Sequence, residues 1–282
     1  GLAWVLQHQN RDGSWSYRSS YVSSLSDKIT YSCQAINLLV EAGFSKDDKR
    51  IVRTTRWLAD NIEEETKHRF SRTQVLLEAG DYGTVVNNGD LGDFIKKVHA
   101  YLDAPDMNPE MNLFWHILPT LIALKGNENN IPDSFRNRVP FDKIAEHLRT
   151  THERVYREDD CISIANKPNH TGLAALYLAT IDKNLHAGRV RGLTNWIIES
   201  HSIMTNGVVH WDYSRGITAY VIMDLLHLPL GPEVAVDPLL SGAIEFIMPD
   251  RDGVSPGDTR PTFDTTLHCE RKLSSQMRQF LL

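Results

Sequence analysis

Apolar residues recur along this chain at helical spacing and seldom alternate as strands do. Three segments are apolar on nearly every face: Asn169-His170-Thr171-Gly172-Leu173-Ala174-Ala175-Leu176-Tyr177-Leu178, Gly216-Ile217-Thr218-Ala219-Tyr220-Val221-Ile222-Met223 and Phe263-Asp264-Thr265-Thr266-Leu267-His268-Cys269. A helix of that kind is buried on most sides. Each carries a threonine near its start, and Thr171, Thr218 and Thr265 fall about 47 residues apart, a period typical of two-helix repeats. An earlier copy is expected from Ile29-Thr30-Tyr31-Ser32-Cys33-Gln34-Ala35-Ile36.

A second helix type precedes these. Arg189-Val190-Arg191-Gly192-Leu193-Thr194-Asn195-Trp196-Ile197-Ile198 is apolar on one face and basic on the other, and Ile51-Val52-Arg53-Thr54-Thr55-Arg56-Trp57-Leu58, Ile144-Ala145-Glu146-His147-Leu148 and Leu239-Leu240-Ser241-Gly242-Ala243-Ile244 look equivalent. Such helices cover a neighbour and meet water. The expected fold is all-α: repeated helix pairs forming an inner and an outer ring, in one domain over residues 1–282. Turns at Arg11-Asp12-Gly13-Ser14, Asn206-Gly207 and Arg251-Asp252-Gly253 separate the helices. Asn-Gly also marks hairpins, but the long helical runs beside it favour a plain helix-to-helix turn here. Gly80, Gly83, Asn87-Asn88-Gly89 and Gly92 make 70–106 the expected irregular insertion.

A net charge of −6 argues against nucleic acid as a partner. No apolar run reaches the ~18 residues that cross a bilayer, so no transmembrane segment is expected. Cys33, Cys161 and Cys269 are scattered and odd in number, which suggests a reducing, cytoplasmic setting for a soluble protein. The N-terminus lacks the charge pattern of a signal peptide. It opens in what reads as mid-helix, and the chain closes inside apolar Phe280-Leu281-Leu282, so it reads as a fragment of a longer chain.

The most specific stretch is Gln7-His8-Gln9-Asn10-Arg11-Asp12-Gly13-Ser14-Trp15. Its Gln-x3-Gly-x-Trp element, Gln9, Gly13 and Trp15, resembles the QW motif of the squalene cyclase and protein prenyltransferase β-subunit superfamily. The resemblance implies an α/α toroid around a hydrophobic pocket, with QW turns tying the outer helices together. Asn206-Gly207 with Trp211, and Arg251-Asp252-Gly253, look like degenerate copies. Gln9 and Trp15 then have a structural role: an amide for free backbone groups and an indole that fills the gap between turns.

Within that superfamily the chain looks most like a class II terpene cyclase. Those enzymes protonate an alkene or epoxide with an aspartic acid kept neutral by burial. Pro261-Thr262-Phe263-Asp264-Thr265-Thr266 is the best match to their DXDD-Thr signature, but the proton-donating position falls on Phe263. Asp264 is the leading acid candidate, out of register, and Asp258 the second; a helix N-cap is the plainer reading of Asp264. Phe114, Trp115, His116, Tyr220 and Phe263 are the candidate cavity lining, their ring faces suited to a carbocation. The expected partner is an isoprenoid or similar long apolar molecule. No cofactor is required; a diphosphate substrate would bring Mg²⁺. Lys96, Lys97, Arg189 and Arg191 would meet a diphosphate tail at the rim, although exposed helices carry such charges anyway. The prenyltransferase resemblance implies zinc held by Asp159, Cys161 and His170, a chemically sound set whose histidine lies one repeat too early. A non-catalytic helical-repeat module that binds a protein or supports a larger enzyme is the main alternative.

Overall fold

The computed structural model describes residues 2–16, 25–61, 73–74, 76–77, 89–104, 113–156, 161–203, 208–228 and 237–247. The chain is mostly helical and divides into two compact units, Gly1–Ile144 and Ala145–Leu282. Among the described residues, no helix is long and apolar enough to cross a membrane.

The first unit contains α1 (Leu2–Gln7), α2 (Leu25–Glu41), α3 (Lys49–Asp60), α4 (Asp90–Asp103), a π-helical turn (Leu113–Ile117) running into α5 (Leu118–Gly126), and the short α6 (Asp133–Arg136). α4 falls inside the stretch 70–106 and starts at Gly89, whose φ of 75° suits glycine. α3 is one-sided: Ile51, Thr54, Thr55, Trp57 and Leu58 are buried, while Val52, Arg53 and Arg56 meet solvent. Its first turn is capped by Asp48, which accepts from the Arg50 backbone N–H at 2.9 Å. Ile36 and Leu39 of α2 and Leu91, Phe94 and Val98 of α4 are fully or almost fully buried.

α7 (Phe141–His147) spans the unit boundary and continues as a π-helical turn (Leu148–His152). The second unit then adds β1 (Glu153–Val155), β2 (Ile162–Ile164), α8 (Pro168–Ile181), α9 (Ala187–Glu199), β3 (Ser202–Ile203), β4 (Val209–His210), α10 (Arg215–His227) and α11 (Asp237–Ile247). α8 packs against both α9 and α10, and α11 against α10 and β4. Ala174, Ala175, Tyr177 and Leu178 of α8 are wholly buried, as are Ala219, Val221 and Ile222 of α10. Burying each large aliphatic or aromatic side chain stabilises the fold by about 1.5–3 kcal/mol.

One expectation from the sequence is corrected. In place of the plain helix-to-helix connection expected around Asn206-Gly207, Ser202 and Ile203 pair antiparallel with His210 and Val209. A matching hairpin, Glu153–Val155 against Ile162–Ile164, sits one repeat earlier. Both are too short to show an alternating pattern, so the flanking helices dominated the sequence signal.

Each hairpin ends in the same tight turn. Ala165 and Asn166 have φ of 51° and 57°, and Asp212 and Tyr213 have 54° and 50°. Lys167 N–H donates to the Ile164 carbonyl at 2.9 Å, and Ser214 N–H to the Trp211 carbonyl at 3.2 Å. Two successive positive φ values closed by such a bond make a type I′ turn. Left-handed backbone costs a non-glycine residue roughly 1–2 kcal/mol. Side-chain bonds offset part of it: Ser163 Oγ donates to Asn166 Oδ1 at 2.9 Å, and Tyr213 N–H to His210 Nδ1 at 3.3 Å.

Candidate functional site

The Gln-x3-Gly-x-Trp element is a hydrogen-bonded tie. Gln9 Nε2 lies 3.0 Å from each of three acceptors: the Gly13 and Arg50 carbonyls and Thr54 Oγ1. It thereby joins its own turn to the first turn of α3. Gly13 has φ of 99°, and a Cβ there would sit 2.8 Å from the Arg53 carbonyl oxygen. Both the backbone and the space therefore demand glycine. Trp15 is buried; its indole N–H donates to the Val5 carbonyl at 3.0 Å and its backbone N–H to Ser32 Oγ at 2.9 Å.

Trp211 repeats the pattern. Its indole donates to the Ile197 carbonyl at 2.9 Å and its backbone N–H to Thr218 Oγ1 at 3.0 Å. Ten residues separate Trp15 from its carbonyl partner and fourteen separate Trp211 from its own; the hairpin β3–β4 occupies the longer span. A third copy has Ile164 in place of tryptophan, its N–H donating to Thr171 Oγ1 at 2.9 Å. Ser32, Thr171 and Thr218, all fully buried, are thus equivalent positions on α2, α8 and α10. The register of the first copy is set by Ser32.

This shared register locates a distinctive face. Two and five residues beyond the hydroxyl anchor (positions i and i+3 of one helical face) stand Leu173 and Leu176 on α8, and Tyr220 and Met223 on α10. All four are only partly buried, whereas Ala174, Ala175, Tyr177 and Leu178 of α8 and Ala219, Val221, Ile222 and Leu225 of α10 are buried. α2 carries Gln34 and Asn37 at the same two positions, also partly buried.

Of the buried titratable groups of these helices, His170 was a zinc candidate from the sequence and Asp224 was not singled out. Asp224 of α10 is buried against Gly172 of α8, so closely that a Cβ on Gly172 would meet Asp224 Oδ2 at 2.5 Å. His170 is buried in the first turn of α8. The signal available in advance was a carboxylate inside an apolar run paired with a glycine one repeat earlier. Beside α10, His210 is buried with its ring 4.0 Å from that of Tyr213 and 5.1 Å from that of Phe246. Burial pushes its pKa below the usual histidine range.

Of the residues expected to line a cavity, Phe114 is buried and His116 half-buried in the first unit, and Tyr220 is half-buried in the second. The side chain of Trp115 lies outside the described ones, as do Phe263, Asp264 and Asp258. Cys161 is buried, its thiol 4.0 Å from Glu199 Oε2, and Asp159 lies outside the described residues. Among the described residues, no group of three histidine, cysteine or acidic side chains is arranged to hold a metal. Two of the cations expected to meet a diphosphate, Arg189 and Lys96, are paired with carboxylates. Arg189 Nε donates to Glu153 Oε1 at 2.8 Å, its Nη2 donates to the same carboxylate and to the Ala145 carbonyl, and Lys96 pairs with Asp93 at 3.3 Å. Arg189 therefore anchors α9 to β1.

No family model, curated protein or solved structure matches the chain.

Proposed function

We propose that this chain is a terpene-cyclase-like α/α toroid whose cavity takes an isoprenoid, with α8 and α10 among its inner helices. The observation that supports this most is the half-covered apolar pair repeated in register, Leu173 and Leu176 on α8, Tyr220 and Met223 on α10. Apolar side chains left half-covered on largely apolar helices suit a long hydrocarbon, whose burial stabilises a complex by about 25 cal/mol per Å². The Gln9 and Trp15 bonds add support, since they tie successive helices as the QW resemblance implies.

In this reading the reaction is proton-initiated cyclisation. A neutral carboxylic acid, Asp264 first and Asp258 second, gives its proton to one carbon of a terminal alkene. The alkene π pair forms the new C–H bond and leaves a tertiary cation, which the next double bond attacks to close a ring. Loss of a proton from the cyclised cation restores the balance. Ring faces such as that of Tyr220 stabilise the cation. A diphosphate-bearing substrate would enter with Mg²⁺. The test is incubation with geranylgeranyl diphosphate, farnesyl diphosphate and squalene, followed by mass analysis. Cyclised product from the wild type and none from Asp264→Asn supports the reading. Product that persists in that variant and vanishes in Asp258→Asn transfers the acid role to Asp258. No binding and no product from any of the three refutes the function.

A further inference from the structure

α8 and α10 pack on each other within the second unit, and a carboxylate stands at their contact. Asp224 is buried in the middle of the apolar run Tyr220-Val221-Ile222-Met223-Asp224-Leu225-Leu226. It lies six residues beyond the hydroxyl anchor Thr218, and the same place holds buried Tyr177 on α8 and buried Leu38 on α2. An aromatic or aliphatic side chain therefore satisfies the packing there, while a carboxylate adds a desolvation cost that neither of those has. A buried acid is the informative exception in an apolar core. Its surroundings are the half-covered face itself. The carboxylate rests on Gly172, where a Cβ would meet Oδ2 at 2.5 Å. Gly172 is followed by Leu173 and, one turn on, by Leu176; Asp224 is preceded by Met223 and, one turn back, by Tyr220. All four of those side chains are half-buried, and each belongs to a residue within about one helical turn of the Asp224–Gly172 contact.

We infer that Asp224 is the catalytic base of the cyclisation proposed above, and that its carboxylate removes the proton whose loss ends the reaction. This rests on the terpene-cyclase reading and supplies a residue for a step to which none has been given. In that step a carboxylate oxygen takes a proton from the carbon next to the cationic centre. The C–H electron pair becomes the new C=C bond and the cation is neutralised. The carboxylic acid so formed returns its proton to water between turnovers. Three features suit Asp224 to this. As a carboxylate it puts a negative charge beside the apolar face that holds the hydrocarbon, so the cation forms near an opposite charge away from water. The contact with α8 limits the movement of the carboxylate, and a fixed base selects one proton among several. Tyr220, one turn away, offers a ring face to the same cation. The initiating acid is neutral before the reaction and the base is charged, so the two roles fall to different residues.

The experiment gives geranylgeranyl diphosphate, farnesyl diphosphate and squalene to the full chain, as wild type and as Asp224→Asn. Substrate consumption and product distribution are read together by gas chromatography and mass spectrometry. Asparagine has nearly the shape of aspartate, so it fits against Gly172, but it does not take the proton. Asp224→Asn is expected to go on consuming the substrate that wild type converts. The wild-type alkene should fall about tenfold or more relative to isomeric alkenes and to alcohols formed by water capture, since a positioned base contributes at least ~100-fold. An unchanged distribution, even with a lower melting temperature and a slower rate, overturns the assignment, because the carboxylate then serves packing alone. A folded Asp224→Asn protein that consumes no substrate also overturns it, since the residue then acts before the cation forms. If Asp224→Asn loses its helical circular dichroism, Asp224→Leu carries the test with the same shift expected. Loss of the fold in both variants makes Asp224 a residue of the fold and overturns its role as base. Wild type that converts none of the three substrates removes the cyclase reading and the base with it. Wild-type product matched by the variant removes the base alone.

Discussion

Gly172→Ala tests the packing of α8 on α10. Alanine in a helix is ordinarily worth about 1 kcal/mol over glycine. At position 172 the added methyl would sit 2.5 Å from Asp224 Oδ2, 3.0 Å from Asp224 Cβ and 3.2 Å from Asp224 Cγ. Ordinary carbon contacts lie at about 3.5–4.0 Å. The Cβ of Asp224 moves only with its backbone, and its carboxylate is buried, so side-chain rotation alone cannot clear the clash. Overpacking of this kind costs roughly 1–3 kcal/mol; with the propensity gain subtracted we expect a net loss of about 0–2 kcal/mol, so the variant falls about 1–3 kcal/mol below a Gly→Ala change that meets no clash. Urea denaturation followed by circular dichroism measures it. Gly188→Ala in α9 is the control: no atom lies within 4 Å of its added methyl, and that variant should match or slightly exceed wild type. In an Asp224→Ala background the 2.5 and 3.2 Å contacts disappear while the 3.0 Å contact stays, so the penalty at 172 should shrink. A Gly172→Ala protein as stable as the Gly188→Ala control would refute the reasoning, as would a penalty indifferent to Asp224.

Thr218→Val should cost about 1–3 kcal/mol, because the buried Trp211 N–H loses its acceptor; Thr218→Ser, which keeps the oxygen, should cost much less in the same melts. Gly13→Ala should lose roughly 2–4 kcal/mol, combining left-handed backbone with the 2.8 Å approach to the Arg53 carbonyl; a stability change below ~0.5 kcal/mol would show that the turn relaxes freely. His210 has a folded pKa below its unfolded value, so the neutral ring stabilises the fold above the unfolded pKa of 6.5 and that contribution is lost as pH falls below it. His210→Asn keeps an acceptor for the Tyr213 N–H and cannot titrate, so its melting temperature should fall less than that of wild type between pH 7 and pH 5. Equal slopes for the two proteins would exclude His210 as a source of the pH dependence.

The helices and their interval were legible in the sequence. Runs such as those around Thr171 and Thr218 are apolar at every helical phase, and the burial of such runs is set by composition before any neighbour is known. Gln9, Gly13 and Trp15 stood out for the same reason, because their chemistry acts mostly within one turn and the helix that follows. Tertiary structure alone decided the rest. The hairpins β1–β2 and β3–β4 have strands of two or three residues, too few for a period, and exist because hydrogen bonds between strands hold them. The place of Ser32 was hidden because seventeen residues separate it from Trp15, against seven in the other copies. The contact of Asp224 with Gly172 and the half-covered faces of α8 and α10 share one cause. Hydropathy says whether a side chain avoids water, but which face of a buried helix is left without a neighbour depends on how close the next helix comes.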